Sequence, residues 1–382
     1  MIFSQTNSTE QTAPDLSTNH SNFRQQLQDV VTKIQIKSDL TIVHADYEPI
    51  IVSDRYLDYL QQVSVPERDR YLAIQLQQYL YAIFTGELKS KLDSIERAEA
   101  SFESNDLTPE KIVNNADRWY ETQFYSQLIR CNHGRGYSDA NWRIVEQEAK
   151  RWRVSKNGLT LYISPEEHLF DPDLKLQIGQ TISIRMPPSL IERGVYIAVG
   201  DAGSPKVELP PKSNLSIVQL YFNVDPELAL LLLDRLTQQL NTSNIPFNFR
   251  TAYNEADFER SDAAVLEFLS TDWRQLLPIV RAIYREHQAR FQPKIPFFCK
   301  PLALGLGLAE KPKVQADIEQ INLGQQHCTI IARALIDVCQ DSDRSDLDKL
   351  DYVHRYLSQT GINLERLYLD LDSEASYDAE FL

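Results

Sequence analysis

The amino-acid sequence predicts an α+β fold, in which an N-terminal helical region precedes a mixed β-sheet domain flanked by helices. Two observations predict this class. Apolar residues recur with helical spacing across residues 71–84, as expected for a helix with one buried face. From Asn132 onward the pattern changes to short alternating runs separated by glycine and proline, which is typical of strands and turns.

The composition of successive segments predicts four regions. Residues 1–22 are polar, with little apolar content, and are expected to be disordered. Residues 23–130 form the helical region, and residues 131–340 form the α+β domain. Residues 341–382 hold a C-terminal helix and an acidic tail, which is expected to be solvated.

The most informative segment of the α+β domain begins at Ser216. A strand-like run over Ser216–Asn223 precedes a helical pattern over Asp225–Leu240. A second strand-like run, Phe247–Tyr253, is followed by a third apolar run, Ala263–Leu269. Together they predict a βαβ-like unit. Since ligand sites in α/β layers tend to form at strand ends, we expect a site here.

Other elements surround this unit. A turn is predicted at Asn157-Gly158, and the Pro/Gly-rich segments 187–194 and 293–312 are expected to be connections. Strands are expected at Thr181–Met186 and Val195–Val199, and further helices within 271–291, 324–340 and 347–361.

Composition limits the function classes. The chain has 382 residues, enough for two or three domains or for one large domain with a cap. The net charge is −15, and such an acidic surface repels nucleic acid and anionic lipid, so neither is an expected partner. No apolar run approaches the length of a membrane span.

The cysteines and the N-terminus favour a cytoplasmic protein. The four cysteines are scattered and show no zinc-binding spacing, so no metal site is predicted. Few, unpatterned cysteines fit a reducing compartment. The first residues lack the basic and apolar regions of a Sec-type signal peptide, while export by a specialised system is left open.

Arginines in two turn-like segments are candidate phosphate ligands. His133 to Gly136 read HGRG, in which glycines allow a backbone to approach an anion and Arg135 can bind phosphate bidentately. The alternative is an ordinary turn with an exposed arginine. Arg250 ends a strand-like run, and Arg260 precedes Asp262, so Arg260 is either in a salt bridge or a phosphate ligand.

Three residues nearer the C-terminus are further candidates. Lys300 lies beside apolar residues, where a lysine can have a lowered pKa and act as a base, although a loop lysine is more often solvated. His327 begins a predicted helix and is either packed or functional. Asn322 and Gly324 beside it could expose backbone N–H groups to an anion.

No motif predicts a cofactor. Gly305 and Gly307 form a GxG that follows a proline-rich segment rather than a strand, so a tight loop is a better interpretation than a dinucleotide site. The sequence shows no P-loop, HExxH motif or Ser/His/Asp order.

Taken together, the segments from about Phe124 to Val338 resemble the HopA-type effector family, whose founding members are type III effectors of plant-pathogenic bacteria. Relatives occur in gene clusters for lanthipeptides and thioamitides, beside a kinase-like protein. The resemblance implies removal of phosphate from phosphoserine or phosphothreonine to leave a dehydroamino acid. The order and spacing of seven segments carry it: Arg130–Ile144, Lys156–Pro165, Val195–Gly203, Ile217–Ala229, Ile245–Phe268, Ile295–Pro312 and Leu323–Leu335.

The chain departs from the family pattern at three places. Arg250 stands where the family usually has a lysine, and an arginine cannot serve as a base because its pKa exceeds about 12. Asn322 and Leu323 replace a serine and a phenylalanine, and His327 replaces a common arginine. If the family lysine removes the α-proton, this chain has lost or moved its base.

Two functional hypotheses follow. The first is a lyase acting on a phosphorylated peptide or protein, with or without a kinase-like partner and with no cofactor. The resemblance would then imply that phosphate and substrate are bound by Arg135, Arg250, Arg260 and Asn322. Lys300 would replace the base, and His327 would be the acid. The second is a non-catalytic module that binds a partner protein.

Overall fold

The computed structural model describes residues 16–85, 122–192, 194–206, 215–313, 322–339, 345–377 and 381. The described residues divide into two compact units. Unit 1 takes them from 1–113 and 295–376, and unit 2 takes them from 114–294 and 377–381. Residues 1–15 of the expected disordered segment and 86–121 of the predicted helical region lie outside the described residues.

The predicted α+β class is confirmed. The described residues form nine α-helices: α1 Leu16–Lys33, α2 Asp54–Gln62, α3 Val65–Thr85, α4 Thr122–Cys131, α5 Pro165–His168, α6 Pro226–Thr242, α7 Trp273–His287, α8 Leu323–Cys339 and α9 Asp346–Gln359. They also form fourteen strands: β1 Gln35–Ile36, β2 Ile42–His44, β3 Tyr47–Ile50, β4 Tyr137–Glu148, β5 Arg151–Lys156, β6 Leu159–Ile163, β7 Thr181–Met186, β8 Ser189–Glu192, β9 Val195–Val199, β10 Ile217–Phe222, β11 Phe247–Ala252, β12 Ala264–Leu269, β13 Lys300–Ala303 and β14 Leu306–Glu310.

Unit 1 has a helical core. Helix α3 packs against α8, and α1 packs against α9. The apolar spacing of α3 explains why this helix packs into the core, because Leu72, Leu76 and Leu80 recur every four residues and are all buried. The β1–β3 sheet lies within the region that was predicted to be helical. Its strands of two to four residues are too short for an alternating pattern to reveal.

The expectation of a solvated C-terminal tail is wrong for much of that segment. In unit 1, residues 367–369 are buried, and Leu367 joins the helical core. In unit 2, the ring of Tyr377 contacts Trp273, and that of Phe381 contacts Tyr284. Apolar and aromatic residues interrupt the acidic ones, and burying them offsets the cost of ordering the segment.

Unit 2 contains a sheet in which β12 lies between β10 and β11, followed by β9 and β8. Each neighbouring pair in this order is antiparallel. The predicted strand–helix–strand order is therefore present, but β10 and β11 are separated by β12 rather than adjacent. Asp225 begins α6, because its Oδ1 accepts a hydrogen bond from Leu228 N at 2.7 Å.

A four-stranded antiparallel sheet in unit 2 has the order β6–β5–β4–β7. Trp142, Ile144, Val154 and Ile184 are among the residues that form its own small core. The predicted turn between β5 and β6 is confirmed, since Asn157 and Gly158 have φ values of 49° and 82°.

Both proline- and glycine-rich segments that were expected to be connections contain strands. Segment 187–194 includes β8, which pairs with β9. Segment 293–312 includes β13 and β14, which pair with each other. The expected tight loop is present there, because Gly305 adopts φ 68° between the two strands. The prolines in these segments did not prevent strand formation, because β8 and β13 each pair with the strand that follows directly in the sequence.

The end of β9 approaches the start of β11 closely at Gly200, and a substitution there tests this contact. A Cβ at Gly200 would lie 2.7 Å from Cδ1 of the fully buried Phe247. We expect Gly200→Ala to lower the free energy of unfolding by about 1–3 kcal/mol, measured by urea denaturation. Ala202→Ser, at a nearby exposed position, is the control and should be close to neutral. Equal stability of both variants would contradict the packing.

Candidate functional site

One face of the five-stranded sheet in unit 2 carries a buried polar network. Glu267 on β12 lies opposite Gln219 on β10 and opposite Asn248 on β11. Directly opposed residues project to the same side of a sheet. Gln219 Nε2 donates to Glu267 Oε1 at 2.9 Å, and Asn248 Nδ2 donates to Glu267 Oε2 at 3.2 Å. Tyr221 Oη donates to Gln219 Oε1 at 2.8 Å and extends the network.

This network is the kind of feature that marks a functional site. Glu267 is only 1% exposed, and a buried carboxylate is costly unless it is hydrogen-bonded. The Oδ1 atom of Asn248 is also buried and has no hydrogen-bond partner among the described residues. The sequence interpretation missed the network, although the alternation of polar and apolar residues in β11 and the single glutamate in the apolar strand β12 could have indicated it.

Arg250 lies on the same face as this network. It is two residues after Asn248 on β11, and its cross-strand neighbours are Val265 and Ile197. The residue is half-buried. Its guanidinium makes no ion pair or hydrogen bond with any residue that the structure describes. A half-buried arginine without an internal anion is suited to bind an external one.

Arg135 lies in a loop that is held by carboxylates. Its backbone N–H donates to Asp201 Oδ1 at 2.7 Å, and its Nε donates to Asp201 Oδ2 at 3.0 Å. His133 Nε2 is 2.7 Å from Asp234 Oδ1. Gly136 has φ 93°, and a Cβ there would lie 2.4 Å from the carbonyl oxygen of Met186. The loop thus requires glycine at position 136 for its backbone conformation and for the close approach to Met186. The Arg135 side chain itself is 86% exposed.

Arg260 forms the salt bridge that the sequence left as an alternative. Its Nε and Nη2 donate to the two carboxylate oxygens of Asp262, both at 2.8 Å. Arg260 follows the C-terminal end of β11, whereas Asp201, which binds Arg135, lies near its beginning. The six-residue strand between these positions spans roughly 17 Å. The structure therefore does not bring the backbones of Arg135 and Arg260 together.

In unit 1, Lys300 is buried rather than solvated. It is the first residue of β13 and is 8% exposed. Its Nζ lies 5.4 Å from the centre of the Tyr368 ring, a cation–π geometry. Arg366 Nε donates to Tyr368 Oη at 3.2 Å. The sequence interpretation did not identify Tyr368 or Arg366, which belong to the tail that was expected to be solvated.

The expectation that His327 acts as an acid does not fit its environment. The residue is 1% exposed, and its Nε2–H donates to the carbonyl oxygen of Leu367 at 3.0 Å. Burial lowers its pKa to about 4, so the ring is neutral at pH 7. The histidine instead attaches the C-terminal segment to helix α8, which agrees with the packed alternative.

Asn322 caps the helix that contains His327. Its Oδ1 accepts from Gln325 N at 2.8 Å, and Gln325 Oε1 accepts from Asn322 N at 3.0 Å. This reciprocal pair is a capping box. A Cβ at Gly324 would lie 2.5 Å from Cδ2 of Phe298 and 2.9 Å from Cε2 of Tyr81, so this glycine permits aromatic packing. Both residues thus have structural roles at the start of α8.

Two neighbouring carboxyl groups are buried in unit 1. The backbone N–H of Asp370 donates to Glu310 Oε2 at 2.9 Å, and both residues are less than 5% exposed. Burial is the main cause of a raised pKa at Asp370, and the charge of Glu310 adds to it. No local sequence pattern signals this pair, because its members are sixty residues apart.

Among the described residues, Asp29, His44 and Asp46 bring three possible metal-ligand atoms within 4.8 Å of one another. Lys33 Nζ lies 2.5 Å from a carboxylate oxygen of each aspartate and already neutralises them. The Nδ1 atom of His44 accepts a hydrogen bond from Asp46 N at 3.2 Å, which places the proton of the neutral ring on Nε2. Such a nitrogen cannot bind a metal, so this donor set does not fit a metal ion.

Comparison with known proteins finds a family match over part of the chain. Residues 186–369 match the HopA1 effector protein family. The matched region includes Arg250, Lys300 and His327, together with the buried network of unit 2. Over these residues, slightly under half of the chain, it is similar to that family. No curated protein matches the sequence.

Two solved effector structures from Pseudomonas syringae are similar. The effector of pathovar tomato strain DC3000 has 13% identity and a TM-score of 0.39, over 79% of this chain and 95% of that chain. The effector of pathovar syringae strain 61 has 11% identity and a TM-score of 0.38, over 66% of this chain and 82% of that chain. Both TM-scores are too low to support a statement about fold or function.

Among the helices that the structure describes, none combines the length and the apolar character that a membrane span requires.

The buried His327 predicts a stability loss in mild acid. Its folded pKa of about 4 lies below the ordinary value of 6.5, so the unfolded chain binds the proton first as the pH falls. The contribution of His327 is therefore complete above pH 6.5 and is lost towards pH 4, by up to about 3 kcal/mol. Urea denaturation at pH 7.5 and pH 5 should show this loss.

The matched variant is His327→Gln, which keeps an N–H donor but has no titrating group in this range. It should reduce the difference in stability between the two pH values. His354→Gln, on helix α9, should leave that difference unchanged. An identical pH dependence for wild type and His327→Gln would contradict the assignment.

Proposed function

We propose that this chain is a lyase that eliminates phosphate from phosphoserine or phosphothreonine in a peptide or protein. The observation that supports it best is the environment of Arg250. This arginine is half-buried and pairs with no described residue. It lies on the face of the sheet that also carries the buried carboxylate of Glu267. A fixed guanidinium can bind two phosphate oxygens at once. The match of residues 186–369 to the HopA1 effector protein family agrees with this proposal, since the sequence resemblance implies the same chemistry.

The elimination needs two functions from the protein. A base removes the α-proton, the electron pair forms the Cα–Cβ double bond, and the Cβ–O bond breaks to release phosphate. In our proposal Arg250 neutralises the negative charge that develops on the departing phosphate. Since arginine does not deprotonate, the base must be another residue. Lys300, which is buried in unit 1, is our candidate for this base.

The proposed substrate is a peptide that a kinase-like partner has phosphorylated, as in lanthipeptide-type maturation. Both steps would then take place in the cytoplasm before any export. The reaction needs no cofactor, because the proton and the phosphate move without a change in oxidation state.

A second candidate function is a protein-binding module without catalysis. Three of the predicted ligands favour it: Arg135 pairs with Asp201, Arg260 pairs with Asp262, and Asn322 caps α8. These contacts explain the three residues without a substrate. They do not explain Arg250, which is why we place the lyase first.

Mass spectrometry of phosphopeptides tests the lyase directly. Incubation with the native protein should remove the mass of phosphoric acid without adding water, whereas a phosphatase would restore the hydroxyl group. Lys300→Ala should lower the rate by about 10²–10⁴, as expected for loss of a general base. Arg250→Gln should also lower the rate strongly, and Arg274→Gln, at an exposed position on α7, is the matched control.

Arg250→Lys separates the two roles that this position could have. If Arg250 only binds phosphate, lysine should replace it incompletely, because it lacks the bidentate geometry. If the position still points at the α-proton, lysine should raise the rate. No loss of mass with either the native protein or Arg250→Lys, across several phosphoserine and phosphothreonine peptides, would favour the binding module.

A further inference from the structure

The four-stranded sheet of unit 2 contains a hollow of about 630 Å³ at β4 and β5. Arg143 and Lys156 line it together with Asn141, Ser155 and Asn157. None of its lining residues is acidic, although the chain has 54 acidic and 39 basic residues. The hollow is therefore a place where an anion meets little repulsion in an otherwise acidic protein.

Arg143 lies at the centre of a polar row across three strands. Its cross-strand neighbours are Ser155 on β5 and Thr181 on β7. These residues project to the same side of the sheet, so two hydroxyl groups flank the guanidinium. The neighbouring residues Trp142 and Ile144 project to the opposite side and belong to the buried core. The row therefore lies on the side of the sheet that faces away from this core.

Two other cations of this sheet have internal partners. Lys156 Nζ lies 2.8 Å from both carboxylate oxygens of Asp139. Burial by itself would raise the pKa of Asp139, but hydrogen bonds from Lys156 and Trp142 outweigh it and lower that pKa. Arg153 pairs with Glu146. Arg143, in contrast, makes no ion pair or hydrogen bond within the described part of the chain.

Two irregularities in β4 flank Arg143. The pairing with β7 shifts between Asp139 and Trp142, and the pairing with β5 shifts between Ile144 and Glu146. Bulges of this kind bend a strand and redirect its side chains, and they are common beside binding sites. Asn141, within the first bulge, has φ 68° and also lines the hollow.

We propose that this hollow binds a second oxyanion of the substrate peptide, at a residue other than the one that undergoes elimination. The oxyanion is either the phosphoryl group of another phosphorylated residue or a side-chain carboxylate. Arg143 supplies the charge, and the hydroxyl group of Ser155, which also lines the hollow, supplies a further donor. The inference rests on the proposed function for its choice of ligand, but the binding can be measured without catalysis.

Fluorescence anisotropy with labelled peptides tests this site. The probes are three peptide series with one phosphoserine and, at a varied distance, a second phosphoserine, an aspartate or an alanine. Arg143→Gln should weaken binding of the doubly phosphorylated peptide about tenfold, which corresponds to loss of one charge-assisted hydrogen-bonded contact. It should leave the alanine peptide unchanged. The aspartate series shows whether a carboxylate can replace the second phosphate.

Arg151→Gln removes the same charge from an exposed position on β5 and is the matched control. Equal binding of all peptides to native protein and Arg143→Gln would overturn the inference. An equal effect of Arg143→Gln and Arg151→Gln would also overturn it, because it would show general charge attraction only. If the native protein binds two oxyanions through Arg143 but never eliminates phosphate, the second site stands and the lyase proposal fails.

Discussion

The position of β12 between β10 and β11 is the constraint on which the candidate site depends. It pairs with all six residues of β10 and with five of the six residues of β11, and this register places Glu267 between Gln219 and Asn248. A shift by one residue would turn Glu267 towards the apolar side of the sheet and Phe268 away from it. The apolar residues on the other face, including Phe249 and Leu266, oppose such a shift because they are fully buried.

The same register explains the environment of Arg250. Strand β11 is paired with β12 on one side and with β9 on the other, so the side chain of Arg250 starts from a rigid strand rather than from a loop. Rigid elements position functional groups more accurately than loops do. The buried network beside it includes the carboxylate of Glu267, whose burial would be costly without the hydrogen bonds from Gln219 and Asn248.

Several residues that looked functional in the sequence have local structural roles. Glycines in the HGRG loop and at the start of α8 permit close approaches, and Asn322 completes a helix cap. His327 binds the backbone of Leu367 and so helps to order a segment that contains Tyr368, the ring beside Lys300. In this way a residue without a chemical role supports the environment of a candidate base.

The sequence by itself determined the α+β class, most helices, the strands β7 and β9 to β12, the turn at Asn157-Gly158 and the family resemblance, because these depend on local periodicity and short motifs. Only the tertiary structure decided which charged residues have internal partners. The partners of His327 and Glu310 are forty and sixty residues away, and local patterns do not encode such distances. Burial of the C-terminal segment was likewise decided by the surfaces that receive it, because its acidic composition favoured solvent while its aromatic residues favoured the core.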